Sequence, residues 1–136
     1  MLKKLFTFFL LLCSFSAFAQ PITGVWKGKI GRQRAEVKIV QKGDSLVGTS
    51  YYFDAAGAYR RYSIKGYFNQ DNNSVVWWDD ALIEEKGSRL PLSNPGAAPM
   101  LSSADFNCPG GGEMLLDGST HPIENKEKEA STHLKK

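Results

Sequence analysis

Cysteine is nearly missing from this chain, with two among 136 residues. One of them, Cys13, falls in an N-terminal stretch that reads as a leader. Cys108 then remains alone and cannot close an intramolecular bridge, which excludes a fold stapled by disulfides. Its thiol is expected to be buried, with pairing to another chain or reactivity as the alternatives. Histidine is as scarce: His121 and His133 both lie in a polar C-terminal stretch, leaving the expected core without a base to activate a nucleophile. Also missing are a Gly-x-Ser-x-Gly elbow, a His-Glu-x-x-His pair, a Walker-type phosphate loop and the paired-cysteine spacing of a metal site. The sequence is therefore read as a non-enzyme with no catalytic residue, no metal and no cofactor. No amphipathic helix of convincing length precedes residue 120.

A strong charge of either sign is missing too, once the start of the chain is set apart. Lys3 and Lys4 precede an apolar run over residues 5–12, broken only by Thr7, and small residues stand at Ala17 and Ala19. This is the layout of a secretory signal with cleavage after Ala19. The run is far shorter than the roughly 20 residues of a membrane-spanning helix, so no transmembrane segment is expected in the chain that remains. Lipidation at Cys13 is the lesser alternative, because bulky Leu12 stands where a small residue is usual. The reading divides the chain into a signal (1–19), a domain (20–121) and a tail (122–136), and places it in the periplasm or outside the cell. Two of the 17 basic residues leave with the signal, so the rest is nearly neutral against 14 acidic groups. Without a basic stripe interleaved with aromatics, nucleic acid is not an expected partner.

What is present is alternation with a period of two, cut by turn residues. Over 24–31, Trp26, Gly28 and Ile30 share one face, and over 34–40 Ala35, Val37 and Ile39 do. Strands are further expected over 46–53, 59–68 and 74–84, with turns at 41–44 and 69–73. Short connections favour an antiparallel up-and-down meander, and apolar strands of this length need their edges covered. The expectation is an all-β fold: a meander closing into a small barrel, complete or shortened. Gly28, Gly48 and Gly66 lie inside the strands, as strong curvature requires. Residues 87–112 hold four prolines and three consecutive glycines and read as a long loop, with brief strands over 99–106 and 113–117. Residues 122–136 read as disordered or weakly helical.

The opening Gly24-Val25-Trp26 resembles the Gly-x-Trp of the calycin barrels, the group that includes lipocalins and avidins. The likeness to avidins extends through Leu46-Val47-Gly48-Thr49, Arg61-Tyr62, Gly66-Tyr67 and Val75-Val76-Trp77, all within residues 22–78. The resemblance implies a barrel with a ligand in its interior. It does not imply biotin: Gly28 and Arg32 stand where avidins carry an Asn and a Ser, and Ser50 and Tyr52 where they carry a Tyr and a Ser.

Trp26, Tyr52, Tyr62, Tyr67, Trp77 and Trp78 all fall on expected strands, and alternation sends neighbours such as Trp77 and Trp78 to opposite faces. Core packing accounts for part of the set, and a bound partner accounts for the rest. The leading expectation is a binding module for a small ligand with apolar surface, held by Trp26, Tyr52, Tyr62 and Trp77, with Arg32 or Arg61 meeting an anionic group. The alternative is an envelope interaction or structural module that docks a protein through an edge strand or its outer aromatics; an oligomer fits either. Asp79, Asp80 and Glu84 form an acidic group that suits a hydrolase least well, because Arg60 and Arg61 are expected to pair with Asp79 and Asp80 across a hairpin.

Overall fold

The computed structural model describes residues 22–87, 94–110 and 112–136. The expected signal, with Cys13, lies outside the described residues. β1 (Gly24–Ile30), β2 (Gln33–Lys42), β3 (Ser45–Phe53), β4 (Tyr59–Asn69), β5 (Ser74–Lys86), β6 (Met100–Gly110), β7 (Glu113–Pro122) and β8 (Ala130–Lys135) follow one another in a closed antiparallel barrel. Every strand pairs with its sequence neighbours, and β8 returns to β1 with Gly28 opposite Leu134. No helix of the described residues is long and apolar enough to cross a membrane.

Alternation explains the first strands. Trp26 and Ile30 on β1, and Ala35, Val37 and Ile39 on β2, are all buried, while Lys27, Lys29 and Lys38 face outward. The chain is bent tightly enough that a Cβ on Gly28 would lie 1.9 Å from the His133 carbonyl, and one on Gly48 1.8 Å from that of Lys38. A side chain at either position would force neighbouring strands apart.

Four expectations are corrected. The Pro- and Gly-rich stretch contains a full strand: β6 runs over 11 residues and is not a brief edge, because Met100, Ser102 and Ala104 alternate inward and residues 101–105 pair on both sides. The tail expected to be disordered or weakly helical contains β8, whose Thr132 and Leu134 supply the two inward positions of a short strand rich in polar residues. Cys108 is exposed rather than buried, on the part of β6 that runs past β5. Finally, β4 and β5 are out of simple register. Two bulges leave Asp80 and Ile83 as extra residues on β5, so Arg60 and Arg61 stand opposite Glu85 and Glu84, and the expected pairing with Asp79 and Asp80 is replaced by pairing with these glutamates.

The inward apolar side chains form two layers. The larger gathers Ile22, Trp26, Val37, Leu46, Phe68, Val75, Trp77, Leu116 and Leu134 at one end. The chain preceding β1 seals that end: Ile22 is wholly buried, its carbonyl accepts the Trp26 indole N–H at 2.9 Å, and Gln41 bonds back to Ile22 and Thr23. Side chains of this size contribute about 1.5 to 3 kcal/mol each when fully buried. The smaller layer, Ile30, Ala35, Tyr52, Tyr62 and Met100, lies at the other end, the mouth.

Candidate functional site: the barrel interior and its mouth

Polar side chains occupy inward positions between these layers. Ser50 on β3, Asp79 on β5, Ser102 on β6, Thr120 on β7 and Thr132 on β8 are all at most 2% exposed. The register accounts for their meeting: Trp77 stands opposite Ser102, and Ser102 opposite Thr120. The Asp79 carboxylate accepts three bonds, from Ser50 Oγ at 2.6 Å, Tyr52 OH at 2.7 Å and the Met100 backbone N–H at 2.8 Å. Burial nonetheless outweighs these donors and pushes Asp79 up to about 6. Burial first, and then the neighbouring Asp79 charge, hold the Tyr52 phenol well above its ordinary value.

The hydroxyls form a chain, Ser102 to Thr120 at 2.8 Å and Thr120 to Thr132 at 2.6 Å. Three hydroxyl protons serve two bonds, so one proton remains to donate. A second spare donor is the Trp77 indole Nε1, which is buried and has no partner. Trp26, by contrast, has its N–H satisfied at the sealed end. The interior thus offers two donors and a carboxylate that titrates near neutrality.

A strap formed by residues 94–99, between β5 and β6, covers the mouth. Tyr62 OH donates to the Gly96 carbonyl at 2.9 Å, Arg60 bonds the Ala97 carbonyl, and Ala97 packs on the mouth layer. Gly96 has a φ of +87° and rests against the Tyr52 ring, where a Cβ would lie 2.2 Å from Cγ. Beside the strap a cleft of about 690 Å³ opens between the β1–β2 turn, the 54–57 turn and residues 94–95, lined in part by Lys29, Arg32, Gln33, Arg34 and Phe53.

Of the six residues expected to bind a ligand, Trp26, Tyr52, Tyr62 and Trp77 point inward, Tyr52 meeting Tyr62 edge-on with centroids 5.8 Å apart. Trp26 belongs to the sealed end, away from the mouth layer. Arg32 lines the cleft. Arg61 lies on the outer surface, over the Tyr51 ring and paired with Glu84 at 3.5 Å, so it meets nothing in the interior. Sequence reasoning passed over Gln33, Ser50, Ser102, Thr120 and Thr132 as site residues, and weighed Asp79 only as a catalytic or ion-paired group. A polar residue on the inward phase of an apolar alternation is the signal that marks them.

The acidic residues do not share a cleft: Asp79 faces inward, while Asp80 pairs with Lys65 and Glu84 with Arg61 outside. His133 bonds Asp117 on the outer surface at 2.6 Å. Among the described residues no group of three His, Cys, Asp or Glu is placed to hold a metal ion. The outer aromatics form two groups. Tyr51, Phe53 and Tyr59 stack beneath Arg34, Lys38 and Arg61, and Tyr67 meets Trp78 at 6.4 Å. Val40, Val47 and Tyr67 are exposed on the outer wall, as are Leu82 and Ile83 where β5 has run past its pairing with β6. No protein-family model, curated protein or solved structure matches the chain.

Proposed function

We propose that this protein is an exported binding module of calycin-like design that holds one small molecule inside the barrel without transforming it. The ligand has apolar surface and carries a hydrogen-bond acceptor at its inner end. It enters past the strap, lies between Tyr52, Tyr62 and Trp77, and accepts from the Trp77 indole and the free hydroxyl of the Ser102–Thr120–Thr132 chain. Trp26 closes the floor beneath it. The observation that carries this reading is the buried, unpartnered Trp77 N–H. Leaving such a donor unanswered costs about 1 to 3 kcal/mol, which a ligand acceptor recovers.

Native mass spectrometry of the protein purified from the cells that make it tests the reading. Retention of a stoichiometric small mass supports it. An empty spectrum, together with tryptophan fluorescence unmoved by anilinonaphthalene sulfonate, overturns it.

A second reading, an envelope interaction or structural module, is favoured by the exposed Val40, Val47 and Tyr67 and by Leu82 and Ile83, exposed on β5 beyond its pairing with the described residues of β6. Under that reading the spectrum carries the mass of a protein partner or a second copy.

A further inference from the structure

The turn between β1 and β2 concentrates positive charge that the protein does not neutralise. Lys29 and Arg34 are direct cross-strand partners, and like charges set opposite one another are destabilising. Arg32, on the turn between them, adds a third cation to the same cleft. None of the three forms an ion pair with a described residue. Residues 1–21, 88–93 and 111 contain no Asp or Glu, so the rest of the chain holds no acid to supply one. Among the described residues Asp54 is the one acid lining the cleft; its Oδ1 accepts from the Ala56 and Ala58 N–H groups at 2.9 and 2.8 Å, and its single charge leaves the three cations in excess.

The cleft is more than a charged patch. Gln33 lines it and is only 8% exposed, yet both polar atoms of its side chain are shut off from water without a partner. An amide offers both a donor and an acceptor, so two complementary hydrogen-bond positions stand unused beside the cations. Arg34 lies over the Phe53 ring, its guanidinium carbon 4.4 Å from the ring centre, and is otherwise exposed, as a planar cation that takes part in stacking must be. The volume of about 690 Å³ suits a small organic molecule rather than a bare ion.

We infer that this cleft is a binding site for a small organic anion: a carboxylate or phosphate group seated among Lys29, Arg32 and Arg34, on a planar body that stacks on Arg34 and pairs with the Gln33 amide. The site is separate from the buried one, and its test does not depend on the interior being filled.

Isothermal titration of the full chain with four probes examines each part: 4-carbamoylbenzoate, benzoate, the uncharged benzamide and inorganic phosphate. The expected order places 4-carbamoylbenzoate first, benzoate next, inorganic phosphate weaker and benzamide undetectable, with affinity falling as salt is raised. Arg32→Gln weakens the carboxylates about ten-fold or more, and the double change Lys29→Gln with Arg34→Gln abolishes binding. Gln33→Leu removes the preference for the carbamoyl compound while leaving benzoate binding in place. The substituted cations are surface residues, so an unchanged melting temperature is the control for folding. Binding of benzamide as tight as that of 4-carbamoylbenzoate overturns the inference, as does binding that survives the double change. Inorganic phosphate binding as tightly as the aromatic anions overturns it too, since no organic body is then recognised.

Discussion

Asp79 is the residue at which stability and the proposed site meet. Its native value of about 6 stands above the ordinary 3.8, because burial penalises the charged form more than three hydrogen bonds repay. Between those two values the native state keeps a proton that the unfolded chain gives up. The resulting stability is full below about pH 4 and is lost as pH rises through 6, an effect on the order of 3 kcal/mol. Asp79→Asn removes this titration and keeps the geometry: the Ser50 hydroxyl turns to accept from the new amide, while the amide oxygen takes Tyr52 and Met100. Urea unfolding is therefore expected to show wild type gaining on Asp79→Asn as pH falls from 7 to 4.5; a constant difference would place the carboxylate in water. Asp79→Leu leaves Ser50, Tyr52 and the Met100 N–H without an acceptor and costs about 3 kcal/mol or more at any pH. Cys108 gives a simpler expectation at this scale. Being exposed and unpaired, it reacts with a maleimide in the native protein, and Cys108→Ser changes unfolding free energy by less than about 0.5 kcal/mol.

The strands of the first half were legible because their inward positions are apolar and regular: Ala35, Val37 and Ile39 need no context to be recognised. β6 and β8 were not. Their inward residues include Ser102, Thr120's partner, and Thr132, so hydrophobic alternation fades where the barrel turns polar inside. Proline and glycine counts then suggested a loop, although Pro99 precedes β6 and Pro109 lies where β6 has left β5 behind. The bulges in β5 were equally hidden, since Asp79, Asp80, Leu82 and Ile83 carry no local sign of which residue is extra. For the same reason the site was half legible, its aromatics visible and its polar layer not. The strap is the element whose behaviour follows most directly from its contacts. Gly96→Ala brings a Cβ into the Tyr52 ring at a φ of +87°, a conformation costing about 1 to 2 kcal/mol for an L-residue even without the clash. The strap is then expected to lift from the mouth. Hydrogen exchange reads this at the Ala97 amide, which bonds Asn94 at 3.2 Å in the closed form, while β2 and β3 amides keep their protection. Tyr62→Phe, which loses the bond to Gly96 and the phenol's contact with Arg60, is expected to do the same more weakly.

Closure of the whole barrel rests on one short seam. β1 and β8 pair over only Lys27–Ile30 and Thr132–Lys135, yet this seam covers two edges that would otherwise stand open. Its strength comes from inside: Leu134 is buried in the large apolar layer, Thr132 ends the hydroxyl chain, and Gly28 lets the two backbones approach. Leu134→Ala is expected to cost about 2 to 5 kcal/mol, with cooperative unfolding retained, because a cavity forms while the backbone pairing survives. Gly28→Val is expected to act differently. Its side chain meets the His133 carbonyl head-on, so the seam itself parts and exposes β1 and β8 as unpaired edges. Size-exclusion chromatography separates the two outcomes: the Leu134 variant elutes as wild type does, whereas the Gly28 variant shifts towards larger species that grow with concentration. If both variants only lower the melting temperature and neither changes size, the seam contributes packing alone, and the barrel is held shut by its other strand pairs.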